Sequence, residues 1–552
     1  MPWVVYGVRW VLWAGGGLLR RWRSCPAWVH IVIDGPLPAF SPPRGPFWRR
    51  FLLPRPGSSL YQLEGTVRRL AREPRVRGVV LHLRPVPLAP AQAAALAGLV
   101  SRLRDANKRV VCWGTGYTAG TYQVACAADE VLLQPGGAIG QLGLARNYLF
   151  LREALDRIGV EPDFIQVSPY KTGADTLTQR TLTPAAREMA NWLADSELSE
   201  RSAAIAAGRG LGEAEARALL DGSPYTDTQA LERRAVDAVC SEEALPDRLK
   251  SEPVPWESAR RRLWRPAPTP PGARVGLLRI EGAIVDGHSQ RPPVSPPGPL
   301  PVLLQERAGD LDVVRQARRL ARTRRVAAVV LWIDSPGGSA TASEAMAAAL
   351  EVLASKKPLV AVMGSVAASG GYYVATPARR IFAQPGTLTG SIGVLGGKVA
   401  VGGLLRRLLV GQDVIARGAH AGMDDPGRPY SEAERIKARE SIDRIYGIFL
   451  DRVAKSRGRP LAEIEPIAGG RVWTGRQALD HGLVDEFGDL NRALTEARRL
   501  ARLPDDAPLV ELPDREQVAP APTGVAALAL DTIRALTLAP AWLVCPLIEV
   551  PL

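Results

Sequence analysis

Short apolar runs rich in β-branched residues alternate along this chain with longer stretches of helical periodicity. Val329–Ile333 and Leu359–Met363 have the pattern of buried strands, and Ala340–Leu353 between them has that of a helix. A glycine-rich turn follows the second run. Strands that alternate with helices predict βαβ units. We therefore expect an α/β fold with largely parallel sheets.

The central part of the chain contains an internal repeat. The segment that begins RVRGVVLHLRP at Arg75 matches the segment that begins RVAAVVLWIDSP at Arg325, and the offset of 250 residues persists through later motifs. A constant offset of this kind indicates a tandem duplication of one domain. We assign the first repeat to 46–250 and the second to 274–510. An Arg- and Pro-rich stretch, 251–273, is the expected linker.

Both ends of the chain are apolar. Pro2–Leu19 carries only Arg9 as a charged residue, and three arginines follow it closely. Residues 1–45 are therefore predicted to associate with a membrane, either as a marginal span or as an interfacial helix. The C-terminal tail, 511–552, is again apolar and could contact lipid or a partner subunit.

Composition narrows the class of protein further. The 552 residues are 46% hydrophobic and 23% charged, which fits a globular chain of several domains. The five cysteines form no Cys-x-x-Cys pair, which argues against a zinc ribbon. The net charge of +14 comes from 62 arginines and only eight lysines. We interpret this bias as general arginine usage and expect no nucleic-acid partner.

The two repeats differ at three places where chemistry could reside. The second repeat has a Pro-Gly-Gly turn at Gly337 and Gly338, where the first has lost both glycines. Such a turn exposes backbone N–H groups that could form an oxyanion hole. The second repeat also has Ser369 in a tight turn between small residues, and its counterpart is Ala119.

The third difference is a lysine. Lys171 lies 52 residues after Ala119, and the equivalent position in the second repeat is Ala421. The serine thus survives in one repeat and the lysine in the other, as if two half-sites had been lost in a complementary way. A serine hydroxyl needs an adjacent base, and a buried lysine can supply one. Ser369 and Lys171 are then expected to meet where the two repeats come together.

These residues resemble the long form of the signal peptide peptidase A family, whose fold is shared with the Clp protease subunit and the crotonases. The resemblance rests on Asp-Ser-Pro-Gly-Gly at Asp334, Ala-Ser-Gly-Gly-Tyr-Tyr at Ser369 and Tyr-Lys-Thr at Lys171. It implies a Ser–Lys peptidase with Ser369 as nucleophile, Lys171 as general base, and Gly337, Gly338 and Gly370 as oxyanion donors.

The resemblance also implies a setting. The family is bacterial and attached to the inner membrane, with its catalytic part in the periplasm. It forms homotetramers that hydrolyse signal peptides released into the membrane, and no cofactor or metal is required. The expected substrate is an extended apolar peptide with small or aliphatic residues at the cleaved bond.

Three other interpretations remain open from the residues. A crotonase-like acyl-CoA enzyme would share the fold and the oxyanion turn but needs no serine–lysine pair. A catalytically inactive peptide-binding scaffold would need neither residue to react. A serine–histidine peptidase would use His420, beside Ala421, as the base of Ser369.

Overall fold

The computed structural model describes residues 2–21, 24–41, 58–263, 267–268, 272–290, 306–512 and 542–544. Its elements confirm the predicted alternation. The two apolar runs lie in strands Val326–Ser335 and Leu359–Ala368, and the helix between them is Ala340–Ala354. The fold is α/β with mostly parallel strand pairs, as the sequence predicts.

The chain divides into two compact units. The first contains 1–145, 196–272 and 384–386, and the second contains 146–195, 273–383 and 387–552. The segment 146–195 therefore belongs to the second unit, although it comes from the first sequence repeat. Lys171 is on that segment, so it shares a unit with Ser369.

The first unit is built on one seven-stranded sheet in which β6-β4-β3-β2-β1-β8 are neighbours and β7 pairs with β4. Its strands are β1 (Trp28–Ile33), β2 (Gly78–Leu83), β3 (Arg109–Tyr117), β4 (Glu130–Ile139), β6 (Tyr225–Thr226), β7 (Ala238–Val239) and β8 (Pro253–Pro255). The helices are Pro2–Arg21, Leu60–Ala71, Pro90–Asp105, Ala119–Ala125, Glu213–Asp221, Asp227–Glu232, Leu245–Leu249 and Trp256–Ala259, with a 3₁₀ turn at Glu242–Ala244.

The second unit contains two sheets. In the larger, β18-β16-β14-β12-β9-β20 are neighbours, and β15 joins β14 to β19. These strands are β9 (Arg274–Glu281), β12 (Val326–Ser335), β14 (Leu359–Ala368), β15 (Arg380–Ala383), β16 (Leu388–Gly390), β18 (Val472–Thr474), β19 (Glu486–Phe487) and β20 (Leu509–Glu511).

The smaller sheet of the second unit has the order β11-β10-β13-β21-β17-β5. Its strands are β5 (Glu161–Gln166), β10 (Ala283–Val285), β11 (Arg307–Gly309), β13 (Gly337–Ser339), β17 (Leu395–Ala400) and β21 (Trp542–Val544). The pairing of β5 with β17 ties the segment that carries Lys171 to the second unit through six register positions.

Helices cover both sheets of the second unit. They are Arg152–Ile158, Asp175–Thr178, Asp310–Arg322, Ala340–Ala354, Gly370–Ala375, Gly402–Arg407, Glu432–Arg457, Leu461–Ile464, Gly475–Asp480 and Leu490–Leu500, with 3₁₀ turns at Thr172–Ala174 and Glu465–Ile467. Helix Pro184–Arg209 begins in the second unit and ends in the first. The buried core of the second unit contains Leu331, Met346, Tyr372 and Phe449, which join β12 to its helices.

The structure also bears on the expected linker and on the apolar N-terminal segment. Part of the expected linker is structured, because β8 pairs in parallel with β1 and a helical turn at Trp256–Ala259 follows it. At the N-terminus, Pro2–Arg21 is helical as the pattern predicts. Among the described helices, none combines the length and apolarity needed to cross a membrane.

Candidate active site

Ser369 lies in a strained turn between a strand and a helix. It follows β14 directly and precedes helix Gly370–Ala375, with φ 54° and ψ −114°. A positive φ is rare for a residue with a side chain and marks a position where surrounding structure imposes the conformation. The Ser369 N–H donates to the Gly390 carbonyl of β16 at 2.8 Å, which holds the turn against the sheet.

The two glycines after Ser369 allow this turn to pack tightly. A Cβ on Gly370 would lie 2.6 Å from Ser343 Oγ and 3.2 Å from Gly338 N, and a Cβ on Gly371 would lie 2.5 Å from the Ser335 carbonyl oxygen. Only residues without a side chain fit such distances. The local sequence Ser-Gly-Gly therefore brings the serine turn into contact with the turn at Gly337 and Gly338.

Lys171 reaches Ser369 from the segment that follows β5. Its Nζ atom is 2.7 Å from Ser369 Oγ and 3.0 Å from both Ser391 Oγ and the Ser391 carbonyl oxygen. Both Lys171 and Ser369 are fully buried, with 0% of their surface exposed. The two residues that the repeat comparison singled out are thus in direct hydrogen-bond contact inside the second unit.

The Lys171 backbone is fixed by a glycine pair on the neighbouring segment. A Cβ on Gly470, whose φ is +89°, would lie 2.6 Å from both Lys171 Cα and Lys171 Cβ. The Gly470 N–H donates to the Ile392 carbonyl at 2.7 Å, and the Ser168 hydroxyl donates to the Gly469 carbonyl. This close approach fixes the position of the Lys171 backbone, from which the side chain extends to Ser369.

The Gly337–Gly338 turn contributes backbone peptide groups, and no side chains, to the surroundings of Ser369. Both residues have positive φ, 100° and 154°, and a Cβ on Gly338 would lie 2.0 Å from the Ile284 carbonyl oxygen. The Gly337 N–H donates to Ser335 Oγ at 3.2 Å. The turn therefore requires glycine at both positions and presents its peptide groups beside Gly370.

An extended segment of the same chain pairs with this turn. Strand β21 is antiparallel to β13, with Gly337 opposite Val544 and Ser339 opposite Trp542, and it also pairs with Leu395 of β17. It thus fills the place between β13 and β17 in the smaller sheet. The glycine turn can therefore bind an extended backbone as an added strand.

Asp334 organises the end of β12 just before the glycine turn. Its Oδ1 atom accepts the Val366 N–H at 3.0 Å, across a register shift between β12 and β14. Burial raises the pKa of Asp334 to about 7, and the bond from Val366 opposes this shift. The carboxyl group has a structural role here, because it holds the irregular strand that leads to Ser369.

The structure separates the predicted site residues from the other candidates. Ser369, Lys171, Gly337, Gly338 and Gly370 come together. His420 is exposed, and no hydrogen bond joins it to Ser369, although the structure describes both residues. The serine–histidine alternative therefore has no geometric support.

Sequence reasoning missed Ser391, which contacts Lys171 through both its hydroxyl and its carbonyl oxygen. Its φ is 51° and it is fully buried. A signal was present, because the equivalent residue of the first repeat, at the same offset of 250, is Gln141. The comparison that identified Ser369 could have identified Ser391 as well.

Comparison with known proteins agrees with this geometry. The model of peptidase family S49 matches residues 102–253 and 351–504, which together make up more than half of the chain. The chain belongs to peptidase family S49. Because the same family model matches twice, the two ranges correspond to the two copies of the duplicated domain. The first range contains Lys171 and the second contains Ser369.

Of three such relatives, two share most of this length and the third shares less than half of it. Protease 4 of Salmonella typhi is 31% identical over 468 residues, which cover 81% of this chain and 72% of the relative. Serine protease SPPA, chloroplastic, of Arabidopsis thaliana is 28% identical over 462 residues, 81% of this chain and 66% of the relative. A putative signal peptide peptidase SppA of Enterococcus faecium is 31% identical over 236 residues, 42% of this chain and 65% of the relative. The chain is a serine peptidase of family S49 in its tandem-repeat form.

Proposed function

We propose that this S49 peptidase hydrolyses peptide bonds with Ser369 as nucleophile and Lys171 as general base. The observation that carries the proposal is the 2.7 Å contact between Lys171 Nζ and Ser369 Oγ in a fully buried setting. Removal of an amine from water disfavours its ammonium form, so burial favours the neutral amine that a base requires. Family membership also argues against the acyl-CoA alternative.

The reaction follows the usual sequence for an activated serine. Lys171 Nζ takes the proton of the Ser369 hydroxyl while Oγ attacks the scissile carbonyl carbon, and the ammonium then protonates the departing amine. Neutral Lys171 then takes a proton from water as the water oxygen attacks the ester carbonyl carbon, and the ammonium returns that proton to Ser369 Oγ as the carboxylic acid product leaves. The two Ser391 oxygen atoms accept hydrogen bonds from Nζ and keep it directed at Ser369.

Backbone N–H groups would stabilise the tetrahedral intermediate. The Ser369 N–H donates to the Gly390 carbonyl oxygen. We therefore propose the N–H of Gly370, the next residue of that turn, as the first donor. Gly338 N lies close to Gly370 and is our second proposed donor. The N–H of Gly337, the third donor that the family resemblance implies, is bonded to Ser335 Oγ in this structure. Preorganised donors of this kind stabilise charge that develops in the transition state.

The substrate is proposed to bind as an extended strand. The position of β21 between β13 and β17 supports this, because peptides that add to a sheet edge gain affinity from backbone hydrogen bonds and are selected by pockets for alternate side chains. We propose an apolar peptide with small or aliphatic residues at the cleaved bond, the substrate that the family resemblance implies. The name of the enterococcal relative favours peptides derived from signal sequences.

Membrane attachment is part of the proposal. In helix Pro2–Arg21, the side chains of Val4, Val8 and Leu12 are 57–71% exposed. An apolar helix surface of this kind suits the boundary between lipid headgroups and acyl chains. We propose that the helix holds the enzyme at the bacterial inner membrane, with the catalytic part in the periplasm and the chains assembled as a homotetramer. No metal or cofactor takes part in the proposed reaction.

Turnover of a fluorogenic, signal-peptide-like substrate tests the function. We expect Ser369→Ala and Lys171→Ala to lower kcat by at least about 100-fold, the lower range for loss of a catalytic acid or base. The matched control is Lys437→Ala, which removes an exposed lysine of the same unit. An unchanged rate in either site variant would overturn the proposal, and so would hydrolysis of an acyl-CoA thioester with no cleavage of the peptide.

A further inference from the structure

Two histidines lie side by side in the sheet of the first unit. His30 is on β1 and His82 on β2, and the parallel register pairs His30 with Val80 and His82 with Val32. The two histidines are therefore neighbours on one face of the sheet. Their rings are stacked, with centroids 5.6 Å apart and planes 5° from parallel. His82 is 4% exposed.

These rings have unused nitrogen atoms. Nδ1 and Nε2 of His82 and Nε2 of His30 are buried and make no hydrogen bond among the residues that the structure describes. The nearest indole, Trp113, packs edge-on against His82 at 4.5 Å and donates its own N–H to the Cys240 carbonyl. Buried polar atoms are normally bonded, so three unbonded nitrogens in one place indicate a missing partner.

A carboxylate completes the group. Glu242 begins the 3₁₀ turn after β7, and its Oε1 atom is 3.9 Å from His82 Nδ1. One ligand atom from each of His30, His82 and Glu242 lies within 4.8 Å of the others. Ligand atoms about 2.0–2.2 Å from a tetrahedral Zn²⁺ ion lie roughly 3.4 Å apart, so side-chain movements of about 1 Å would close the site.

The second repeat provides an internal comparison. The offset of 250 places Trp332 opposite His82, and the strand register places Leu277 opposite His30. The duplicated fold therefore forms the same strand pair with apolar residues at both positions. The histidine pair is a property of the first unit alone.

We propose that His30, His82 and Glu242 bind one Zn²⁺ ion, with water in the fourth position. Two imidazole nitrogens and a carboxylate oxygen are ligands that Zn²⁺ prefers, and the buried, unbonded ring nitrogens are placed to supply them. The ion would join β1, β2 and the segment after β7, which are far apart in the chain. Its role is structural, since Ser369 and Lys171 belong to the other unit.

Zinc binding can be measured on the full chain after dialysis against a chelator. We expect wild type to bind one Zn²⁺ per chain in a titration against a competing zinc dye, and Co²⁺ in its place to give the visible absorption of a tetrahedral site. Glu242→Gln and His82→Asn should weaken Zn²⁺ binding by at least about tenfold, since loss of an outer-shell group alone costs roughly 10–100-fold. His420→Ala, at an exposed histidine, is the control.

Thermal unfolding gives a second measurement. Zn²⁺ should raise the Tm of wild type and of His420→Ala and leave that of Glu242→Gln nearly unchanged. Because Glu242 is 47% exposed, its variant should fold even if His82→Asn does not. The proposal is overturned if wild type binds no stoichiometric Zn²⁺, or if Glu242→Gln binds it as tightly as wild type does.

Discussion

Lys171 and Ser369 are 198 residues apart in the sequence, and Lys171 Nζ lies 2.7 Å from Ser369 Oγ. The contact forms within one compact unit because β5, on the segment that carries the lysine, pairs with β17 of the second repeat. The duplicated domain thus yields one site from two incomplete ones.

Ser391→Ala should lower kcat by about tenfold and leave KM nearly unchanged, because Ser391 Oγ orients the lysine and need not contact the peptide. A general base contributes roughly 100–10,000-fold to the rate, and part of this contribution remains in the variant because Lys171 is still present. Steady-state kinetics with the fluorogenic peptide gives both constants. Ser355→Ala, at an exposed hydroxyl, controls for loss of a serine. An unchanged kcat would mean that Ser391 does not orient the lysine.

Gly470→Ala should abolish most activity, because the new Cβ would lie 2.6 Å from Lys171 Cα and displace the lysine backbone. We also expect unfolding to become easier by about 1–3 kcal/mol, since φ at this position is positive. Gly447→Ala is the matched control, as a Cβ there meets nothing within 4 Å. Activity and Tm of the two variants can be measured in parallel. If both variants retain full activity, the close approach of Gly470 does not set the lysine position.

Removal of residues 542–552 should speed cleavage of short peptides, because strand β21 occupies the edge of β13 that a substrate strand would use. The effect is expected mainly in KM, since the strand competes for the same backbone groups. A chain that ends at Val544 retains the strand and is the control. A synthetic peptide of residues 540–546 should inhibit the shortened enzyme competitively. Identical KM values for the two shortened chains would contradict this interpretation.

The pKa of Asp334, raised by burial to about 7, predicts a pH dependence of stability. The folded state binds a proton there between about pH 4 and 7 that the unfolded state has released, so the free energy of unfolding falls as pH rises through this range. Asp334→Asn should reduce that slope while retaining an oxygen that can accept the Val366 N–H. Urea unfolding at several pH values measures the slope. A slope equal to that of wild type would show that Asp334 does not titrate in this range.

Much of the fold and of the candidate site could be predicted because the duplication provides its own reference. Apolar runs such as Val329–Ile333 identified strands, and contrasts such as Ser369 against Ala119 identified residues that the fold alone does not require. Three features depended on long-range packing instead. One is the position of segment 146–195, which comes from the first repeat but lies in the second unit. The others are the contact of Gly470 with Lys171 and the pairing of β21 with the glycine turn. Such contacts join residues that are far apart in the chain, so local sequence patterns do not predict them.

Covalent labelling tests the central assignment most directly. An apolar peptide with a serine-reactive group at its carboxyl end is incubated with the enzyme, and the modified residue is located by peptide mass spectrometry. We expect one adduct, on Ser369. It should form at similar rates in wild type and in Lys437→Ala, and at least about 100-fold more slowly in Lys171→Ala. The Tm of Lys171→Ala, measured beside that of wild type, should be unchanged. An adduct on another residue, or labelling of Ser369 at the wild-type rate without Lys171, would contradict the serine–lysine mechanism.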